Sequence, residues 1–287
     1  MKKILLMLIL LLAFCAGCSP QTEAHVVAST LPVYEFTTTL CEGTGITVSR
    51  LVTENVSCLH DYTLQVSQMR AAEAAQLVVI NGAGLEDFLE DVLEKANAVA
   101  DASEGIQLDC GEHHDHHDGH NHEFDPHIWL SPKMAKQMCQ NICRALTAVY
   151  PAHKLQFEAN LSKLLDKLDA LQAYGETQLK DLKSREIITF HDGFSYFAES
   201  FDLHILKAVE EESGSEASAK ELLEIIDLVQ SRQLPAIFTE QNGSTSAAKI
   251  ISRETGAAVF PLDMAMAGDS YFDAMYHNIR TVKEALE

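Results

Sequence analysis

The chain has 287 residues, 47% of them hydrophobic, and a formal net charge of −21. That is enough apolar material for two cores of ordinary domain size. The acidic balance excludes nucleic acid, whose binding rests on Lys and Arg meeting phosphates, and is compatible with a cationic ligand.

In chain order, Lys2 and Lys3 precede an apolar run from Ile4 to Phe14, followed by the small residues Ala16 and Gly17. This pattern reads as a signal peptide over 1–17, since the run is short of the ~20 residues a membrane-spanning helix takes. The cleavage zone resembles a bacterial lipobox, with Cys18 as the lipid-bearing residue and 18–24 as a polar tether. Cys41, Cys58, Cys110, Cys139 and Cys143 remain beyond it. Five is odd, so at least one has no intramolecular partner. Cys139 and Cys143, four apart on a predicted helix, read as buried small hydrophobes.

From residue 25 the chain alternates short β-branched runs with helical patterns. Strands are predicted at His25–Thr30, Ile46–Val52, Leu77–Ile80, Ile187–Phe190, Leu203–Val209, Ala236–Thr239 and Ala257–Leu262. Helices are predicted at Leu64–Ala75, Leu85–Ala96, Ala219–Ser231 and Ser246–Thr255. This alternation is that of βαβ units and parallel sheets. Between them, Ala152–Lys183 has no strand pattern and no proline, and Leu161, Leu164, Leu165, Leu168 and Leu171 recur at helical spacing. A helix begins near Pro151, with Gly175 as its weak point. The expected fold class is α/β: two Rossmann-like lobes with parallel sheets, 25–150 and 185–287, joined by one long backbone helix over 151–184.

Two groups of residues carry metal chemistry. His113, His114, His116, His117, His120 and His122 crowd a polar stretch, 112–123, read as a surface loop that binds metal loosely. His60, His127, His191 and Asp263 each follow or approach a predicted strand end, where open α/β sheets place their ligands. Two lie in each half of the chain, so a site made of all four would sit between the lobes. Spacing alone does not show that they converge.

The chain resembles the zinc- and manganese-binding solute-binding lipoproteins of ABC transporters, the cluster A-I family. Asp125-Pro126-His127-Ile128-Trp129-Leu130-Ser131-Pro132 is similar to the family's central motif. Leu59-His60-Asp61-Tyr62, Leu77 to Glu86, and Phe190-His191-Asp192-Gly193-Phe194-Ser195-Tyr196-Phe197 are similar to three others. Ile237 to Glu240 and Gly256 to Tyr271 resemble the C-terminal lobe. The histidine-rich segment precedes His127, as in zinc-type members. Leu59 stands where the family usually has proline.

The resemblance implies a metal set of His60, His127, His191 and Asp263, with Glu240 as a rival to Asp263. It implies Zn²⁺ over Mn²⁺, because manganese-type members usually carry glutamate at the position of His191. An N₃O set of three imidazoles and a carboxylate also suits zinc, whereas manganese prefers more oxygen. Asp61, Asp125 and Asp192 are candidates to accept the second ring N–H of the histidines. The implied protein is a monomeric receptor, not an enzyme. It is anchored through Cys18 to the outer face of the bacterial cytoplasmic membrane and serves an ABC permease with its ATPase. A zinc hydrolase is the rival class, but the chain has no HExxH or related helix motif. An adhesin is a third reading, for which the sequence offers no separate module.

Overall fold

The computed structural model describes residues 25–54, 59, 62–108, 124–210, 218–243 and 245–287. Cys18, His60, Asp61 and the histidine-rich segment 112–123 lie outside the described residues.

The first half comprises β1 (His25–Ala28), α1 (Leu31–Cys41), β2 (Thr47–Arg50), α2 (Val66–Ala74), β3 (Leu77–Ile80), α3 (Glu90–Leu93) and β4 (Val99–Asp101). Next come α4 (Pro132–Val149) and α5 (Lys154–Gln178). The second half comprises β5 (Glu186–His191), α6 (Ser195–Ser200), β6 (His204–Glu210), α7 (Ala219–Arg232), β7 (Ala236–Glu240), α8 (Ser246–Thr255), β8 (Ala258–Leu262) and α9 (Tyr271–Leu286). Each half builds a four-stranded sheet whose strands pair in parallel, in the orders β2-β1-β3-β4 and β6-β5-β7-β8. The same plan is thus used twice. Each sheet has its switch point where strand order reverses, between β1 and β3 and between β5 and β7.

Strand periodicity divides the core. Val26, Ala28, Leu77 and Val79 face one way, into a cluster with Phe36, Cys139, Leu164 and Leu168 from α1, α4 and α5. Val27 and Val78 face the other way, against Ala72, Leu89 and Val92. In the second sheet Ile188, Phe190 and Ile237 pack on Ile225, Val229 and Ile251 of α7 and α8. Ile187, Ala236 and Phe238 turn inward and join the first cluster. The inner faces of both sheets therefore share one core around α1, α4, α5 and α9. Cys41, Cys139 and Cys143 are free and buried in it, where burial pushes the Cys41 thiol up to about 12.

The joining helix is shorter than its sequence pattern suggests. A 3₁₀ turn at Pro151–His153 leads into α5, which has 25 residues and is about 38 Å long at ~1.5 Å per residue. It stops at Gln178 because Arg185 donates to the carbonyls of Leu179 and Lys180 at 2.9 and 3.0 Å, satisfying acceptors at the helix end. Gly175 does not interrupt it. It makes room for the ring of Phe201, whose Cε1 would lie 2.1 Å from an added Cβ. Gly175→Ala is therefore expected to lower stability by roughly 1–3 kcal/mol from overpacking, more than the up to ~1 kcal/mol that alanine adds within a helix. The midpoint of denaturant unfolding would show it. The pattern at Leu85–Ala96 also resolves differently, as a 3₁₀ turn at Asp87–Leu89 followed by the single turn α3.

Candidate metal centre

His191 is the last residue of β5, and Glu240 is the last of β7. Thr189 pairs with Phe238, so the period of two puts both side chains on the inner face of the sheet. They meet there, with Glu240 Oε1 3.2 Å from His191 Nδ1 and both side chains buried. Gly193, in the following turn, lies against the ring. An added Cβ would fall 2.6 Å from His191 Cδ2 and 2.8 Å from its Nε2.

His127 comes from the connection between β4 and α4. It opens the 3₁₀ turn Ile128–Leu130, which runs into α4 with Ser131 as its N-cap. Asp125 Oδ1 accepts from the backbone N–H of His127 at 2.9 Å and lies 2.7 Å from its Nδ1. The segment is fastened to the second half of the chain. The Tyr196 hydroxyl donates to Asp125 O at 3.1 Å, Trp129 Nε1 donates to Met264 O at 2.7 Å, and the Tyr271 hydroxyl donates to Trp129 O at 2.8 Å.

These two constructions bring His127 Nε2 and His191 Nε2 to 3.3 Å, both rings buried. The ionised Asp125 carboxylate only accepts, so the Nδ1 of His127 carries the proton and its Nε2 is left with its lone pair. That lone pair, 3.3 Å from a second ring nitrogen, calls for a proton or a cation between the two rings. Two nitrogens bound at ~2.0–2.1 Å with a tetrahedral angle between them stand about 3.3–3.4 Å apart. The spacing thus fits one zinc ion's bite.

A model of the family "Zinc-uptake complex component A periplasmic" matches residues 26–285. The chain belongs to this family. The zinc-binding lipoprotein AdcA of Streptococcus pneumoniae serotype 4 is 30% identical over 311 residues, covering 100% of this chain and 62% of AdcA. The chain thus spans about three-fifths of the curated relatives it matches, and activities of their remaining length do not transfer to it. Among solved structures, ZnuA superposes with a TM-score of 0.81 at 30% identity over 92% of this chain and 99% of that one. The Zn(II)-bound ZnuA-like domain of Streptococcus pneumoniae AdcA does so at 0.78 and 26%, over 92% and 99%. These relatives are zinc-binding and zinc-uptake proteins.

Of the four residues expected at the site, the structure brings His127 and His191 together. His60 lies outside the described residues. Asp263 follows β8 and is half-buried. Its Oδ1 accepts from the backbone N–H of Ala265 at 2.7 Å, and its backbone is gripped by Asn278. It shares the lining of a small cavity with Glu240, Met264 and Met266. Among the described residues no three His, Cys, Asp or Glu side chains converge to hold an ion. Asp125 takes the partner role expected of it. Asp192 is exposed, and the carboxylate found at His191 Nδ1 is Glu240, which sequence reasoning had placed only as a rival ligand. Its end position on β7, in phase with His191, is the signal that identifies this placement.

Gly193 was not singled out by its sequence either. Gly193→Ala is expected to push the His191 ring or Met264 aside, since Met264 Cε would lie 2.7 Å from the new Cβ. Ligands hold their ion only within about 0.5 Å of position, so zinc affinity should fall roughly tenfold or more. Competition against a chromophoric chelator would measure it.

Proposed function

We propose that this protein is the extracytoplasmic receptor of a zinc ABC importer, taking Zn²⁺ between its lobes and passing it to a membrane permease powered by an ATPase. The observation that carries this reading is the buried Nε2 pair of His127 and His191 at 3.3 Å, set at the carboxyl end of β5. His60 and Asp263 are proposed to complete the set, one from each half of the chain. Asp125 and Glu240 act behind the ring nitrogens. Asp125 accepts from the Nδ1 of His127 and so fixes the tautomer and orientation that offer its Nε2 to the ion, and Glu240, 3.2 Å from the Nδ1 of His191, is proposed to do the same there. Glu240 stands on the Nδ1 side of His191, which favours Asp263 over Glu240 as the carboxylate ligand. The nitrogen-rich set favours zinc over manganese.

His113, His114, His116, His117, His120 and His122 are proposed to gather metal weakly, apart from this centre. Cys18 is proposed as the lipid anchor, holding a monomeric receptor at the outer face of the cytoplasmic membrane. No helix of the described residues is long and apolar enough to cross a membrane. The test is equilibrium dialysis of a variant lacking 112–123. One tightly held zinc is expected, and it should be lost on His127→Ala. A loop-deleted protein with His127 intact that holds no zinc would sink the reading.

A further inference from the structure

The turn after β3 is wound in an unusual way. Gly82, Ala83 and Gly84 follow one another with φ of +81°, +55° and +82°. Left-handed backbone costs a residue with a Cβ ~1–2 kcal/mol, so Ala83 is held there by its surroundings. Gly82 also has no room for a side chain, since an added Cβ would lie 1.8 Å from Asp101 Oδ1 and 2.4 Å from Ser103 Oγ. On its other side the turn closes on one carboxylate. Glu86 Oε1 accepts from the Ser29 hydroxyl at 2.6 Å and from Asn81 N–H at 2.7 Å, and Oε2 accepts from Gly82 N–H at 3.0 Å. Ser29 directly follows β1 and Asn81 directly follows β3, so Glu86 ties the two strands together at the first sheet's switch point. Glu86, Ser29 and Asn81 are all buried.

Asn81 carries the connection onward. Its Nδ2 donates to Gly82 O and to Pro126 O, both at 3.0 Å. Pro126 separates Asp125 from His127. Asn81 thus holds the His127 segment from the first half of the chain. The other hydrogen bonds that hold the segment to distant residues, from Tyr196 and Tyr271 and to Met264, belong to the second half of the chain.

We propose that Glu86 is a positioning residue for the metal centre: by closing the Asn81–Gly84 turn it sets the Asn81 amide that fixes the backbone beside His127. This rests on the reading of His127 as a ligand. It gives both switch points the same logic, with a buried carboxylate at each. Glu240 bears directly on a histidine, and Glu86 bears on one through a backbone. Burial pushes the Glu86 carboxyl up to about 7, against the three hydrogen bonds that lower it, so the group sits at a cost in desolvation that an ordinary turn does not require.

The test uses the full chain, with Zn²⁺ affinity read by chelator competition and the visible absorption of bound Co²⁺ at one equivalent read as a report on ligand geometry. Glu86→Gln keeps the shape but turns a donor toward backbone N–H groups. Asn81→Ala leaves Glu86 and its three hydrogen bonds in place and removes the amide's bonds to Pro126 O and Gly82 O. Both should raise the dissociation constant about tenfold, the lower end of the ~10–100-fold typical of outer partners of a metal site. Both should also shift or weaken the Co²⁺ bands, which a purely structural role would not do. If Glu86→Gln does not fold, Asn81→Ala decides alone. A folded Asn81→Ala, or a folded Glu86→Gln, with wild-type affinity and wild-type Co²⁺ bands overturns the proposal. His127→Ala separates the two readings. If it binds zinc as tightly as wild type, the site reading fails and this one with it. If it loses zinc while the other two variants do not, this one alone fails.

Discussion

Replacing His191 by alanine is expected to weaken zinc binding about 100-fold or more. Zinc held by four protein ligands is bound with roughly 10–16 kcal/mol at neutral pH, so each ligand accounts for roughly 3–4 kcal/mol, and each ~1.4 kcal/mol is a factor of ten. The loss has a geometric side as well. His191 Nε2 stands 3.3 Å from His127 Nε2, and removing one takes from the other the imidazole at bite distance. His191→Glu should behave differently. It restores a ligand but exchanges a borderline nitrogen for a hard oxygen, so zinc affinity should fall less than in the alanine variant and manganese should gain relative to zinc. Chelator competition with both metals would separate the cases. Wild-type zinc affinity in His191→Ala would remove this residue from the centre.

The second large effect is on stability. Trp129→Ala is expected to cost about 4 kcal/mol, within the ~3–5 kcal/mol of emptying a buried aromatic site. The melting temperature of the metal-free protein should drop by roughly 10 °C. Trp129 is fully buried. It also carries two polar links, its indole N–H to Met264 O and its carbonyl to the Tyr271 hydroxyl. Trp129→Phe keeps most of the volume and loses only the indole donor, so about 1–2 kcal/mol is expected. Zinc affinity should fall in Trp129→Ala as well, because the indole packs at a tilt against the His127 ring, centroids 5.2 Å apart, and its loss frees that imidazole. An alanine variant that melts within 2–3 °C of wild type, a shift worth only about 1 kcal/mol, would contradict this account.

Much of this was legible beforehand, for reasons that can be named. The β-branched runs at Leu77–Ile80 and Ala236–Thr239 are strands because they are buried on both faces, as parallel sheets require. Ser246–Thr255 announced itself through Gly256, which ends the helix at φ +80°. Other elements were silent. β4 is three residues of Val-Ala-Asp, too short for any period to show. In α1 the run Thr37-Thr38-Thr39 disfavours helix, yet Val33, Phe36 and Leu40 bury one side of it in the shared core. Tertiary packing decides there. At the site, His127 and His191 stood out because strand ends and a Pro-bracketed turn are visible in sequence. The roles of Glu240, Gly193 and Glu86 were not visible, because each depends on which strand lies beside which, and a one-dimensional pattern does not carry that adjacency.

The way residues 125–131 are fastened bears on how such proteins could be recombined. This segment precedes α4 and α5 and so belongs by position to the first lobe. Besides the bond from Asn81 to Pro126 O, however, its contacts run to Tyr196, Met264, Tyr271 and, through the hydroxyls of Ser131 and Ser200 at 2.9 Å, to α6. A chimera that exchanged lobes with a relative at the long helix would split this unit and pair foreign surfaces around His127. A junction placed before Asp125, which carries the whole segment along with the C-terminal lobe, would keep these contacts and leave the Asn81–Pro126 hydrogen bond as the one to be matched across the seam.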